Sequence, residues 1–153
     1  MSTDDASRLD IHDLVRILNE NVGTAAVQAM TGTKDCGQPI RWARPDGPEP
    51  RPEAVKQLRL GYRVWRLLEQ AEGCDVALAW LVGANPRLGE GTPVSAIRKL
   101  KSAEVIGAAL AYIDGSPAVW SLAARAGAHQ CHWLCAGQGP AHEEIIHDVR
   151  RFP

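Results

Sequence analysis

Three groups of residues in this 153-residue chain have types and spacings that could support chemistry. The first is HQCHWLC, which gathers His129, Cys131, His132 and Cys135. On a helix Cys131 and Cys135 stand one turn apart and could chelate one ion, yet a structural zinc site needs a second, widely spaced ligand pair that the sequence does not offer. The alternative is a reduced, partly buried segment with Trp133 and Leu134 in a core. No metal site is assigned.

The second group is GANPRLGEGTP, residues 83–93, set between the apolar runs DVALAWLV and VSAIRKL. Glycines at a helix start let backbone N–H groups approach an anion closely. A P-loop, however, needs G-x-x-x-x-G-K-[ST] after a strand; here Gly83 and Gly89 are one residue too far apart, and no lysine follows. By local chemistry the stretch is a turn: Asn85-Pro86 starts a bend, and Gly89 and Gly91 tolerate positive φ.

The third group comprises Lys34, Gln38, Arg41, Arg44 and Arg51. Gln38 and Arg41 are side chains able to contact base edges, whereas Lys34, Arg44 and Arg51 could contact phosphates. They open the most basic window of the chain, residues 34–70, with eight Lys and Arg against five Asp and Glu. The overall formal charge is −1, so only this local distribution points to nucleic acid. Nucleophilic catalysis finds no support, because no serine lies in a G-x-S-x-G elbow or similar context. The residues predict no enzyme and no cofactor.

The elements that must position these groups are helical. Ile11, Leu14, Val15, Ile17 and Leu18 fall at helical spacing behind a capping Asp10. Thr24 could cap a short second helix, AAVQAM, that Thr31 and Gly32 end. In CGQPIRWAR, Pro39 suits a first helical turn; Ile40 and Trp42 or Ala43 would pack inward while Gln38, Arg41 and Arg44 face out. Helix, glycine-containing turn and helix from Thr24 to Arg44 together look like a helix-turn-helix. The other reading is an αα-hairpin with merely solvated arginines.

PDGPEPRP breaks any helix, and from Pro52 the steps Val55, Leu58, Tyr62 and Trp65 mark a long amphipathic one. Residues 75–82 form a shorter apolar helix ending at Gly83, and Thr92 caps another with Pro93 at its first position. Ser102 caps the next, which buries Val105, Ile106, Ala109, Leu110 and Ile113 and stops at Gly115. Two further candidate helices open with Pro117 and Pro140. No β-alternation occurs, so the predicted class is all-α: an N-terminal helix-turn-helix bundle, a small helical domain and a helical extension.

With 45% apolar residues the chain can bury a core. Its first twenty residues are acidic without an apolar signal region, no run reaches the length of a membrane span, and four cysteines fit a reducing compartment where thiols stay free or bind metal. The expectation is a soluble cytoplasmic protein.

The order of parts resembles the Xre/MbcA/ParS-like antitoxins, whose second domain carries W-x-x-x-x-N-P-x-L-G-x-x-[ST]-P. Here the pattern runs Trp80, Asn85, Pro86, Leu88, Gly89, Thr92 and Pro93. The resemblance implies residues 1–72 as an Xre-like helix-turn-helix and dimerisation region that represses its own promoter through Lys34, Gln38, Arg41 and Arg44. It implies residues 73–115 as a domain binding a RES-domain, NAD-degrading toxin through Asn85, Pro86, Arg87, Leu88, Gly89, Thr92 and Pro93. Residues 116–153 form an extension whose Glu143, Glu144 or Asp148 could imitate phosphate charge in the toxin's NAD pocket, or which simply adds helices to the core. A homodimer assembling with the toxin would follow. The alternative is a DNA-binding transcriptional regulator, which could be prophage-derived, with no toxin partner. His142 and His147, flanked by Glu143, Glu144 and Asp148, read as decoration of a solvated helix face and not as a site.

Overall fold

A computed structural model describes residues 5–115. Within them the chain is all-helical, with no strand among the described residues. The helices are α1 (Asp5–Arg8), α2 (Ile11–Asn21), α3 (Thr24–Thr31), α4 (Gln38–Trp42), α5 (Pro52–Glu72), α6 (Cys74–Val82), α7 (Pro93–Arg98) and α8 (Ser102–Gly115), with a 3-10 turn over Pro86–Leu88. None of them is long and apolar enough to cross a membrane.

Local chemistry explains most of these boundaries. Asp10 accepts from the backbone N–H groups of His12 and Asp13, satisfying two donors that the start of α2 leaves open. Pro52 lies in the first turn of α5, where its missing N–H removes no bond. Thr92 accepts from the Ser95 N–H at 3.2 Å and caps α7 as predicted. Two predicted caps differ: Gly23 precedes α3, which already includes Thr24, and Ser102 Oγ turns back to the Leu100 carbonyl and does not cap α8. A hydroxyl bound to a nearby carbonyl is no longer positioned to accept from the helix.

One hydrophobic cluster runs from Ala6 to Ala109 and takes side chains from all eight helices, Trp42 being the contribution of α4. At its centre is α5, packed against α1, α2, α3, α6, α7 and α8. Its buried residues, among them Ala54, Leu58, Leu60, Gly61, Val64, Trp65 and Leu68, occupy more than one face. A helix surrounded in this way cannot keep a single apolar stripe. Gln57 is buried too, and donates to the Arg98 carbonyl at 2.7 Å, tying α5 to the end of α7.

Helix α4 is fixed by polar contacts to α2: His12 Nδ1–H donates to the Trp42 carbonyl and Asn19 Nδ2–H to the Pro39 carbonyl, both at 2.8 Å. Pro39 and Trp42 are buried, and Ile40, expected to pack inward, is 53% exposed. A five-residue helix buries only one side, and here Pro39 and Trp42 take it. Leu110 likewise stands out of the core, because Val105, Ala108 and Ala109 supply the buried face of α8.

The proline-rich loop after α4 closes through Gly47, whose N–H donates to the Arg44 carbonyl at 2.9 Å. A Cβ there would collide with the Arg41 backbone carbonyl, an atom that cannot swing away. Gly47→Ala is therefore expected to destabilise the fold by about 1–3 kcal/mol, the range for forcing atoms into a packed site. Urea unfolding checks this, and an unchanged midpoint would show that the loop yields.

Candidate functional site

The structure separates two of the three chemical groups and leaves the third outside the described residues. His129, Cys131, His132 and Cys135 lie outside them, as do Glu143, Glu144 and Asp148. Among the described residues no group of three or more His, Cys, Asp or Glu side chains could hold a metal ion. Cys36 is a free, exposed thiol, whereas Cys74 is disulfide-bonded, which departs from the expectation of reduced thiols. Spacing alone gives no sign of such pairing.

The basic corner is built by the turn between α3 and α4. Lys34, Arg41 and Arg44 are exposed and Gln38 is half-buried. Arg41 is not a free cation: its guanidinium donates to both Asp35 Oδ2 and Gln38 Oε1. Asp35 Oδ1 in turn accepts from the Gly37 N–H at 2.8 Å. The two side chains suited to base edges therefore satisfy one another and an aspartate. Releasing them to a base would cost these bonds, whereas no ion pair is found for Lys34 or Arg44 among the described residues. Sequence reasoning missed Asp35 as a partner, although it stands only six residues before Arg41.

The loop from Gly83 to Pro93 is closed by its own backbone. Asn85 Oδ1 accepts from the Arg87 N–H at 2.9 Å, and the Asn85 carbonyl accepts from Leu88 and Glu90 at 2.9 and 3.1 Å. Asn85 N–H donates to the Gly91 carbonyl, Gly89 N–H to Pro86 and Gly91 N–H to Leu88. Every N–H from Asn85 to Gly91 is thus engaged, Pro86 having none. An anion cradle needs N–H groups that point outward unpaired, so this loop cannot form one.

The same geometry sorts the loop's side chains. Gly89 has φ +64°, a left-handed conformation that favours glycine, and Glu90 follows it at φ 62°. Leu88 packs against the core, Pro93 is buried and Thr92 is spent on its cap. Asn85 holds the loop shut. What remains exposed is Ala84 at the entry and Pro86, Arg87, Gly89 and Glu90 around the apex. Asn85, Leu88, Thr92 and Pro93, all proposed from sequence as contact residues, are used to shape the loop, and Arg87 presents the loop's one cation.

Beside the loop lies an open groove of about 470 Å³ between α6 and α8, lined by Asp75, Val76, Ala79, Trp80, Gly83, Ala84, Asn85 and Tyr112. Trp80 and Tyr112 meet at 6.3 Å between ring centroids. The buried indole N–H of Trp80 has no acceptor among the described residues. The groove was not legible as a site because its walls lie on α6 and α8, with α7 between them in the chain. Exposed Val82 and Tyr112, apolar residues left out of the core, are its trace.

Compared with known proteins, the chain matches no family model, no curated protein and no solved structure.

Asp35 supplies a test of the corner. Its carboxyl is held below the usual aspartate range first by the Arg41 hydrogen bond and then by the Gly37 N–H. A depressed folded value means that this contribution to stability is complete above the unfolded pKa and is lost as pH falls through the folded one. Carboxyl titration by NMR should therefore show Asp35 ionising at lower pH than a free aspartate, and Arg41→Ala should move its midpoint upward. A midpoint unmoved by that substitution would mean that the pairing does not persist in solution.

Proposed function

We propose that this chain is an antitoxin that binds and blocks a RES-domain, NAD-degrading toxin, and that it represses its own promoter. The observation that carries the reading is the loop of residues 83–93. Within the Trp80–Pro93 pattern, Asn85, Leu88, Gly89, Thr92 and Pro93 fold a rigid turn that exposes Pro86, Arg87 and Glu90. A loop with a hydrogen-bonded backbone and an arginine at its apex suits protein recognition, because little backbone freedom is lost on binding and arginine is enriched among strongly contributing interface residues.

Under this reading the antitoxin performs no chemistry and needs no cofactor; it acts by occupying the toxin. The contact residues are Pro86 and Arg87, with Asn85, Leu88, Gly89, Thr92 and Pro93 holding them in place. Glu143, Glu144 and Asp148 would act from the extension. Promoter binding would rest on Lys34 and Arg44 against phosphates, with Gln38 and Arg41 reading bases only once Asp35 lets Arg41 go. The antitoxin would work as a homodimer that joins the toxin in a larger complex. The reading as a regulator without a toxin partner draws on the same basic corner and leaves the loop unexplained.

Co-expression with a RES-domain protein encoded beside it should give a stable complex and suppress NAD loss. Arg87→Glu should weaken that complex by at least tenfold while the fold stays intact. Persistent NAD depletion despite tight co-purification would overturn the inhibitory role. Separately, binding to upstream DNA should fall steeply with salt, and Arg44→Ala should reduce both affinity and salt slope. Salt-independent or absent DNA binding would remove the repression.

A further inference from the structure

We propose that the α6–α8 groove is the docking surface for this chain's own C-terminal extension, with residues 117–126 (PAVWSLAARA) seated along it and Cys74 as a covalent anchor. The groove needs an occupant of apolar character. Val76, Ala79, Trp80 and Tyr112 wall it, Val82 beside it is 53% exposed and Tyr112 40% exposed. Apolar side chains clustered at a surface cleft are normally covered.

The extension is placed to meet that demand. The chain leaves α8 at Gly115, one helical turn beyond Tyr112, so the next residues start at the rim of the groove. They bring Val119, Trp120 and Leu122, the first large apolar side chains after α8, and then Arg125, the one cation between residues 116 and 149. Asp75, an exposed carboxylate, lines the groove at the start of α6 and complements that charge.

The cysteines give a second, independent tie. Cys74 adjoins Asp75 and is disulfide-bonded, while Cys36 is free. The chain has two other cysteines, Cys131 and Cys135, and both belong to the extension. A segment that departs beside Tyr112 and returns covalently to the first residue of α6 must pass along or around the groove between them. Its reach suffices: the nine residues of α6 span about 13 Å, far less than an extended segment from Gly115 to Cys131 can cover. The proposal is independent of whether a toxin is bound.

Hydrogen exchange followed by mass spectrometry on the full chain without reductant, with peptide mapping of its disulfide, tests this. Cys74 should be found linked to Cys131 or Cys135. Residues 117–126 should exchange at least tenfold more slowly than the same sequence as a free peptide. Ala79→Arg, a charge placed on an exposed wall of the groove, should abolish that protection while α5 keeps its own, and so should Trp120→Ala, which removes the largest apolar side chain of the segment. Exchange at the free-peptide rate, or protection untouched by both substitutions, overturns the proposal. Protection that grows with protein concentration in step with dimer formation also overturns it, since the groove would then hold a second copy.

Discussion

Close packing at the middle of α5 is the constraint on which the rest of the described fold depends. At Gly61 a Cβ would lie 2.7 Å from Met30 Sδ and 3.9 Å from Ile97 Cγ2, so α3 and α7 press against α5 where it carries no side chain. One turn earlier, Gln57 fastens α7 through the Arg98 carbonyl. Because α3 is held there, the turn to α4 and the basic corner have a fixed base. Because α7 is held there, Pro93 and the loop before it do too. Two candidate surfaces far apart in sequence thus owe their positions to one helix.

Both surfaces are stiffened by hydrogen bonds that limit what they can bind. In the loop of residues 83–93 the backbone donors are consumed internally, which removes anion binding and leaves side chains as the means of recognition. At the corner, Asp35 and Gln38 occupy the guanidinium of Arg41, while Lys34 and Arg44 make no ion pair among the described residues. A corner of this kind favours binding that depends on charge and salt over base readout.

The sequence made local events legible and tertiary ones much less so. Asp10 as a cap, Gly32 as the stop of α3, Pro52 in a first turn and Thr92 over Ser95 all depend on neighbours within a few residues, and all are found. Ile40 was misplaced because its inward neighbours, Pro39 and Trp42, win their places through α2, some 20–30 residues away. Leu110 was misplaced for a similar reason: periodicity marks an apolar arc on α8, but the packing partners decide which part of the arc is covered. The loop's closed backbone follows from Asn85, Pro86 and Gly89, yet the division between residues that shape it and residues that remain free required the hydrogen bonds themselves. The groove joins α6 to α8 and had no local signature at all.

The central claim is that the apex of this loop touches a toxin. A photo-crosslinking amino acid placed at residue 87, in cells that also make a RES-domain protein, tests it most directly. The account predicts a crosslink to that protein from position 87 and none from position 63 on α5. A complex that co-purifies intact while position 87 stays uncrosslinked would contradict it.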